Sequence, residues 1–117
     1  MAIKRVWHGW TTLENADKYQ SILQNVVIPG IEAKNIAGLI KFEVLRFAHE
    51  DEVEFVTMMT FEALDNVIAL QGEDYKKAYI PAAVQAVLKR WDIESPHYDL
   101  VETREYWTSI KSSVLRG

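Results

Sequence analysis

An α+β fold is predicted for this chain, and three observations predict it. Stretches with helical periodicity alternate with stretches rich in β-branched and aromatic residues, in the order β-α-β-β-α-β. The middle two strand candidates are joined only by His49-Glu50-Asp51-Glu52, which is long enough for a hairpin and too short for a crossover. The strand candidates also divide by charge. Phe55-Val56-Thr57-Met58-Met59 carries none and Val6 to Trp10 no full charge, whereas Lys41, Glu43 and Arg46 mark the second strand and Asp99, Glu102 and Arg104 the fourth. This is the pattern of a ferredoxin-like βαββαβ antiparallel sheet with helices on one face, its first and third strands central and its second and fourth at the edges.

Each element has its own justification. Ile3 to Trp10 reads as the first strand. Thr11-Thr12-Leu13-Glu14 then fits a capping box, in which hydroxyl and carboxylate satisfy each other's backbone donors. Leu13, Ala16, Tyr19, Ile22, Leu23, Val26 and Val27 form the apolar stripe of the first helix. Pro29-Gly30 interrupts it, and Pro29 starts a further turn to about Lys34. Gly38 to Phe47 and Val53 to Phe61 are the hairpin strands. Glu62 to Gln71 is the second helix, stopped by Gly72, and Glu73 to Ile80 is read as one or two helical turns. Pro81 restarts a helix whose inner face is Val84, Val87, Leu88 and Trp91, and His97 to Glu105 is the last strand. Residues 1–105 thus make one domain. Residues 106–117, with Trp107, Ile110, Val114 and Leu115, are a tail expected to pack on the assembly.

Composition excludes several classes. At 117 residues, 49% hydrophobic and 26% charged, the chain has the make-up of a single globular domain. The net charge is −4 and the basic residues are scattered among acids, so no cationic stripe for nucleic acid forms. There is no apolar run long enough to span a membrane and no visible signal peptide, which makes a cytoplasmic location the expectation. Cysteine is absent, and with it disulfides and thiolate chemistry. His49-Glu50-Asp51-Glu52 is a turn rather than a metal shell, since consecutive residues rarely converge on one ion. Gly30 and Gly72 are isolated, so no phosphate loop is present, and the sequence calls for no cofactor.

The segment Arg5-Val6-Trp7-His8-Gly9-Trp10 poses the central question. Two helices cover only one face of such a sheet, yet the central strands are apolar on both. A second copy of the sheet is the simplest cover, and a homodimer is expected.

Arg5-x-Trp7-x-Gly9-x-Thr11, Glu14-Asn15-Ala16-Asp17-x-Tyr19, Val27-Ile28-Pro29-Gly30-Ile31, Glu52-Val53-Glu54-Phe55-Val56-Thr57, Gly72-Glu73-Asp74-Tyr75 and Ser95-Pro96-His97-Tyr98 follow one another in an order and spacing that carry a resemblance. Over roughly Ile3 to Glu105 the chain resembles the antibiotic biosynthesis monooxygenase-like family of the dimeric α/β-barrel superfamily. The resemblance implies a homodimer with facing sheets and, in each subunit, a pocket between sheet and helices. It also implies cofactor-free oxidation of phenols to quinones, although other members degrade haem or oxidise small quinols. The better-studied branches carry an asparagine in strand one, a tryptophan near the end of strand three and a histidine on the second helical segment. This chain has Trp7, then Met59 or Thr60, and a position near Tyr75 there.

The candidate site residues follow. Arg5 and Trp7 share one face of the first strand, and Val6, His8 and Trp10 the other. Trp7 reads either as a pocket wall that stacks on a flat ring or as core. Arg5 reads either as the charge that holds a phenolate or as the partner of an acid on a neighbouring strand. His8 reads either as a proton acceptor for a phenol or as a hydrogen-bonded interface residue. His97, behind Pro96, is read either as a second base at the pocket mouth or as a structural hydrogen bonder. Tyr75 and Tyr79, four apart, share a face if their segment is helical, and with Tyr19 they read either as phenol hydroxyls offered to a ligand or as caps on a small core. The functional readings are a cofactor-independent monooxygenase acting on a small phenolic or quinol-type aromatic, or a non-catalytic dimeric module that binds a small hydrophobic ligand. Haem handling is a third.

Overall fold

The computed structural model describes residues 1–106 and contains a mixed α+β domain built on one antiparallel sheet. In chain order the elements are β1 (Ile3–Thr11), α1 (Ala16–Ile22), a π-helical turn (Leu23–Val27), α2 (Ile28–Glu32), β2 (Leu39–Ala48), β3 (Val53–Phe61), α3 (Leu64–Gln71), α4 (Ala82–Gln85), β4 (Arg90–Trp91) and β5 (His97–Asp99). The sheet order is β2-β3-β1-β4, with β5 also paired to β1, which is the ferredoxin-like arrangement. β1 pairs with β3 from Ile3↔Phe61 to Thr11↔Val53, and β3 with β2 through the hairpin. The sheet is open, with β2 at one edge and β4 and β5 at the other.

β1 alternates strictly. Ile3, Arg5, Trp7, Gly9 and Thr11 are buried toward the helices, and the residues between them are half-buried on the other face. Gly9 has a specific reason to lack a side chain. The Trp7 indole folds along the strand and lies over it, so that a Cβ there would fall 2.8 Å from Trp7 Cη2. Trp7 then packs with Tyr19, Leu23, Phe55, Val84 and Leu88 in the main core, while Ile3, Met59, Phe61 and Val67 form a second cluster under α3.

Four local expectations are corrected. The helix does not break at Pro29. Leu23–Val27 widens to π geometry, with Ile28 N–H bonded to the carbonyl of Leu23, and helical structure continues to Glu32. The widened turn accommodates a residue that has no N–H to give. The capping box shifts by one position: Thr11 is buried in β1, and the Thr12 hydroxyl accepts from Asn15 N–H at 3.2 Å. The segment 73–80 is not helical. Residues 73–76 form a turn instead, closed by Lys77 N–H on the Asp74 carbonyl (3.1 Å), after which Ala78 N–H donates to Ile93 (2.9 Å) and Ser95 N–H to Lys76 (2.7 Å) around a Lys77↔Glu94 bridge. Tyr75 and Tyr79 therefore do not share a helical face. Finally, the last strand is divided. Trp91 pairs with Gly9 in β4 rather than closing a helix, and β5 covers only His97–Asp99, beyond a loop that contains Pro96. Proline cannot donate to a ladder and interrupts an edge strand for that reason. Of the expected tail, only Tyr106 lies within the described residues, where it is exposed.

Among the described residues nothing covers the face of the sheet away from the helices. It presents Val6, His8 and Trp10 from β1 opposite Met58, Val56 and Glu54 from β3, with Leu45 and Phe47 of β2 beyond, 49% and 61% exposed. No helix among the described residues is long and apolar enough to cross a membrane.

Candidate functional site

Between the sheet and the helical layer lies a cavity of about 110 Å³. Its floor is Arg5 and Trp7 from β1 with Thr57 and Met59 from β3. Tyr19, Leu23 and Val27 roof it, and Pro81, Val84 and Ser95 close the far side. The π turn contributes directly, since Leu23 and Val27 both sit in it. Most of this wall is aromatic or aliphatic, and the charge within it belongs to Arg5.

Arg5 is 6% exposed, a depth at which guanidinium groups are normally paired with acids. Its partners here are neutral. Nη1 donates to the carbonyl of Tyr75 (2.5 Å) and to Nε2 of His97 (2.8 Å), and Nη2 donates to the carbonyl of Lys77 (3.2 Å). These two carbonyls belong to the 73–76 turn and to the bridge residue that follows it. Burial lowers the Arg5 pKa to about 10, which still leaves it charged at neutral pH.

An arginine has no acceptor, so the Nε2 of His97 that faces it must carry the lone pair and the ring proton must sit on Nδ1. Burial first, and the Arg5 charge second, push the His97 pKa down to about 4. His97 is thus a neutral acceptor that helps hold Arg5, with its ring packed edge-on against Tyr75 at 5.2 Å. Neither His97 nor Tyr75 lines the cavity, although the Tyr75 carbonyl orients the arginine that does. Tyr79 lines the rim and is 79% exposed. Trp7 forms part of the wall, and its indole N–H donates to the carbonyl of Asp92 at 2.8 Å, which fixes the ring plane.

His8 lies on the opposite sheet face. Its Nδ1 is 2.8 Å from Glu54, whose second oxygen is 2.9 Å from His49 Nε2. Hydrogen bonds from His49 and then His8 hold the Glu54 carboxyl below its usual range. No group of three histidine or acidic side chains among the described residues is placed to hold a metal ion.

The sequence offered Tyr19 as a further phenol for a pocket and missed Ser95. Tyr19 does line the cavity. It is 1% exposed, packs edge-on against Phe55 at 4.9 Å, and has its phenol pKa driven up by burial. Ser95 is 2% exposed, and its hydroxyl has no hydrogen-bond partner among the described residues. Its position before Pro96 was the available signal, because a pre-proline residue is held extended and here projects from the strip that pairs with 76–78.

The fold and cavity together define a ferredoxin-like α+β domain with a ligand-sized space between sheet and helices. A search of solved structures matches this architecture to a Bacillus cereus protein provisionally named an antibiotic biosynthesis monooxygenase. The match covers 92% of this chain and 99% of that one, with a TM-score of 0.59 and 10% sequence identity. The chain therefore has the antibiotic biosynthesis monooxygenase-like fold, as the sequence motifs implied. No protein-family model matches the sequence, and no curated protein does.

Proposed function

We propose that the chain binds a small, single-ring phenolic or quinol-type aromatic in the sheet–helix cavity and oxidises it with dioxygen, as a cofactor-independent monooxygenase. The observation that carries the reading is the cavity itself, in which Trp7 and Tyr19 supply aromatic surface and Arg5 supplies one buried positive charge. The fold shared with a protein named as such an oxygenase adds support. In this reaction a phenol and dioxygen yield a quinone and water, and the substrate supplies the electrons. Trp7 orients the ring and Arg5 favours a negatively charged oxygen at its end of the cavity. A second copy of the chain covers the open sheet face, giving a homodimer with one cavity per subunit.

One observation favours a non-catalytic binding module instead. His97 spends its lone pair on Arg5, and His8 lies across the sheet. The cavity wall thus offers no histidine to take a phenolic proton. Oxygen consumption with hydroquinone separates the two readings. The oxygenase reading expects uptake above the buffer rate that is lost in Arg5→Met. Binding without uptake leaves the binding module.

A further inference from the structure

Resting on that reading of the cavity, we propose that the ligand is a single-ring aromatic acid and that Arg5 and Ser95 hold its carboxylate. The charge on Arg5 is unbalanced. Arg5 is buried, yet no ion pair among the described residues includes it, and residues 107–117 contain no Asp or Glu. A buried cation held only by carbonyls and a neutral imidazole lacks the counterion that desolvation calls for. A ligand that brings one supplies what the fold omits.

The donor count fits this occupant. A guanidinium has five N–H groups, and Tyr75, His97 and Lys77 accept from three of them. The two left over, one on Nε and one on Nη2, belong to neighbouring nitrogens, whose fork matches the two oxygens of a carboxylate. Ser95 offers a third donor, since the residue lines the same cavity and its buried hydroxyl has no partner among the described residues. A single phenolate oxygen would use this set less fully.

The remaining wall and the size decide the rest of the molecule. Trp7, Tyr19, Phe42 and Met59 make an apolar and aromatic lining suited to a ring. A cavity of about 110 Å³, open to solvent beside Tyr79, is of the same order as the roughly 150 Å³ that accepts benzene in an apolar protein interior, which is the scale of a single ring. The protonation states agree. A carboxylic acid with a pKa near ~4 arrives ionised at neutral pH, whereas a phenol near ~10 needs a base, and His97 and His8 are both engaged elsewhere.

The test is calorimetric titration of the full chain at pH 7 with benzoate, its neutral isostere benzamide, and phenol. Benzoate is expected to bind about tenfold or more tightly than either neutral probe, the discrimination typical of one charged hydrogen-bonded contact. Arg5→Met is expected to abolish that preference, bringing benzoate down to the affinity of the neutral probes or below it. Ser95→Ala, a milder change, is expected to weaken benzoate selectively and supplies the evidence if Arg5→Met does not fold. Equal binding of benzoate and benzamide, or tighter binding of phenol, overturns the carboxylate assignment and leaves the cavity as an aromatic site. Failure of all three probes at millimolar concentration overturns both the assignment and the cavity reading.

Discussion

Nη1 of Arg5 lies 2.8 Å from Nε2 of His97, so a buried cation is steadied by the lone pair of a neutral histidine. Protonating that histidine would place two positive charges face to face. The His97 pKa accordingly falls from 6.5 to about 4 in the fold, burial being the larger cause and Arg5 the next. A lowered folded value means that the unfolded chain takes up the proton first. The stabilisation is whole above pH 6.5 and is lost as the pH drops toward about 4. Discounted for the partial solvent access of this ring, the loss is about 1–2 kcal/mol. Urea denaturation at pH 7 and pH 4.5 measures it. His97→Gln, which keeps an acceptor and removes the titration, is expected to show a smaller difference between the two pH values than wild type. An equal difference would detach His97 from the acid sensitivity.

The contact between Gly9 and Trp7 yields a second expectation. A Cβ at position 9 would meet Trp7 Cη2 at 2.8 Å and Cζ3 at 3.0 Å, with Leu88 behind at 3.3 Å. The indole cannot simply slide away, because its N–H is tied to the Asp92 carbonyl. Gly9→Ala is expected to cost about 1–3 kcal/mol, the usual range for overpacking a filled core. It should also move the tryptophan emission as the indole is displaced. An unchanged melting temperature would show that the strand can shift to make room.

These two contacts also show what was legible beforehand. The alternation along Ile3–Thr11 put Arg5 and Trp7 on one face and His8 on the other, and the structure has them so. The hairpin and the charge-free central strand were equally readable, because period-two patterning is a local property of the chain. The strip 73–80 was not. Its Tyr75 and Tyr79 spacing looked helical, but the turn at 73–76 gives way to backbone bonds to Ile93 and from Ser95, and those depend on a partner some 17 residues away. The same long-range pairing turns the Tyr75 and Lys77 carbonyls toward Arg5, so the cavity's charge was visible as a residue and its setting was not. Nor could a sequence show that His97 faces Arg5, since that meeting comes from the pairing of β1 with β5.

Thr11 supplies a prediction in the opposite direction. Its side chain is fully buried and its hydroxyl has no partner among the described residues. A desolvated hydroxyl without a bond is a net cost, and valine fills the same volume without it. Thr11→Val is therefore expected to leave stability unchanged or raise it by about 1 kcal/mol. Thermal melts check this directly. A clear loss would mean that the hydroxyl finds a partner in solution, such as a water.

The open sheet face carries the last prediction. His8 and Trp10 stack there at 5.9 Å, Glu54 links His8 to His49, and Leu45 and Phe47 stand exposed beside them. Apolar side chains spread over a sheet face with polar groups among them suit an interface better than open water. With a second copy as the cover, native mass spectrometry is expected to give two chains. Leu45→Glu and Val56→Arg, which place charges on that face and leave the helix-side core alone, are expected to give one chain with the same circular dichroism. A single-chain mass for the wild-type protein would remove the second copy as the cover. A dimer that survives both substitutions would move the interface to another surface of the molecule.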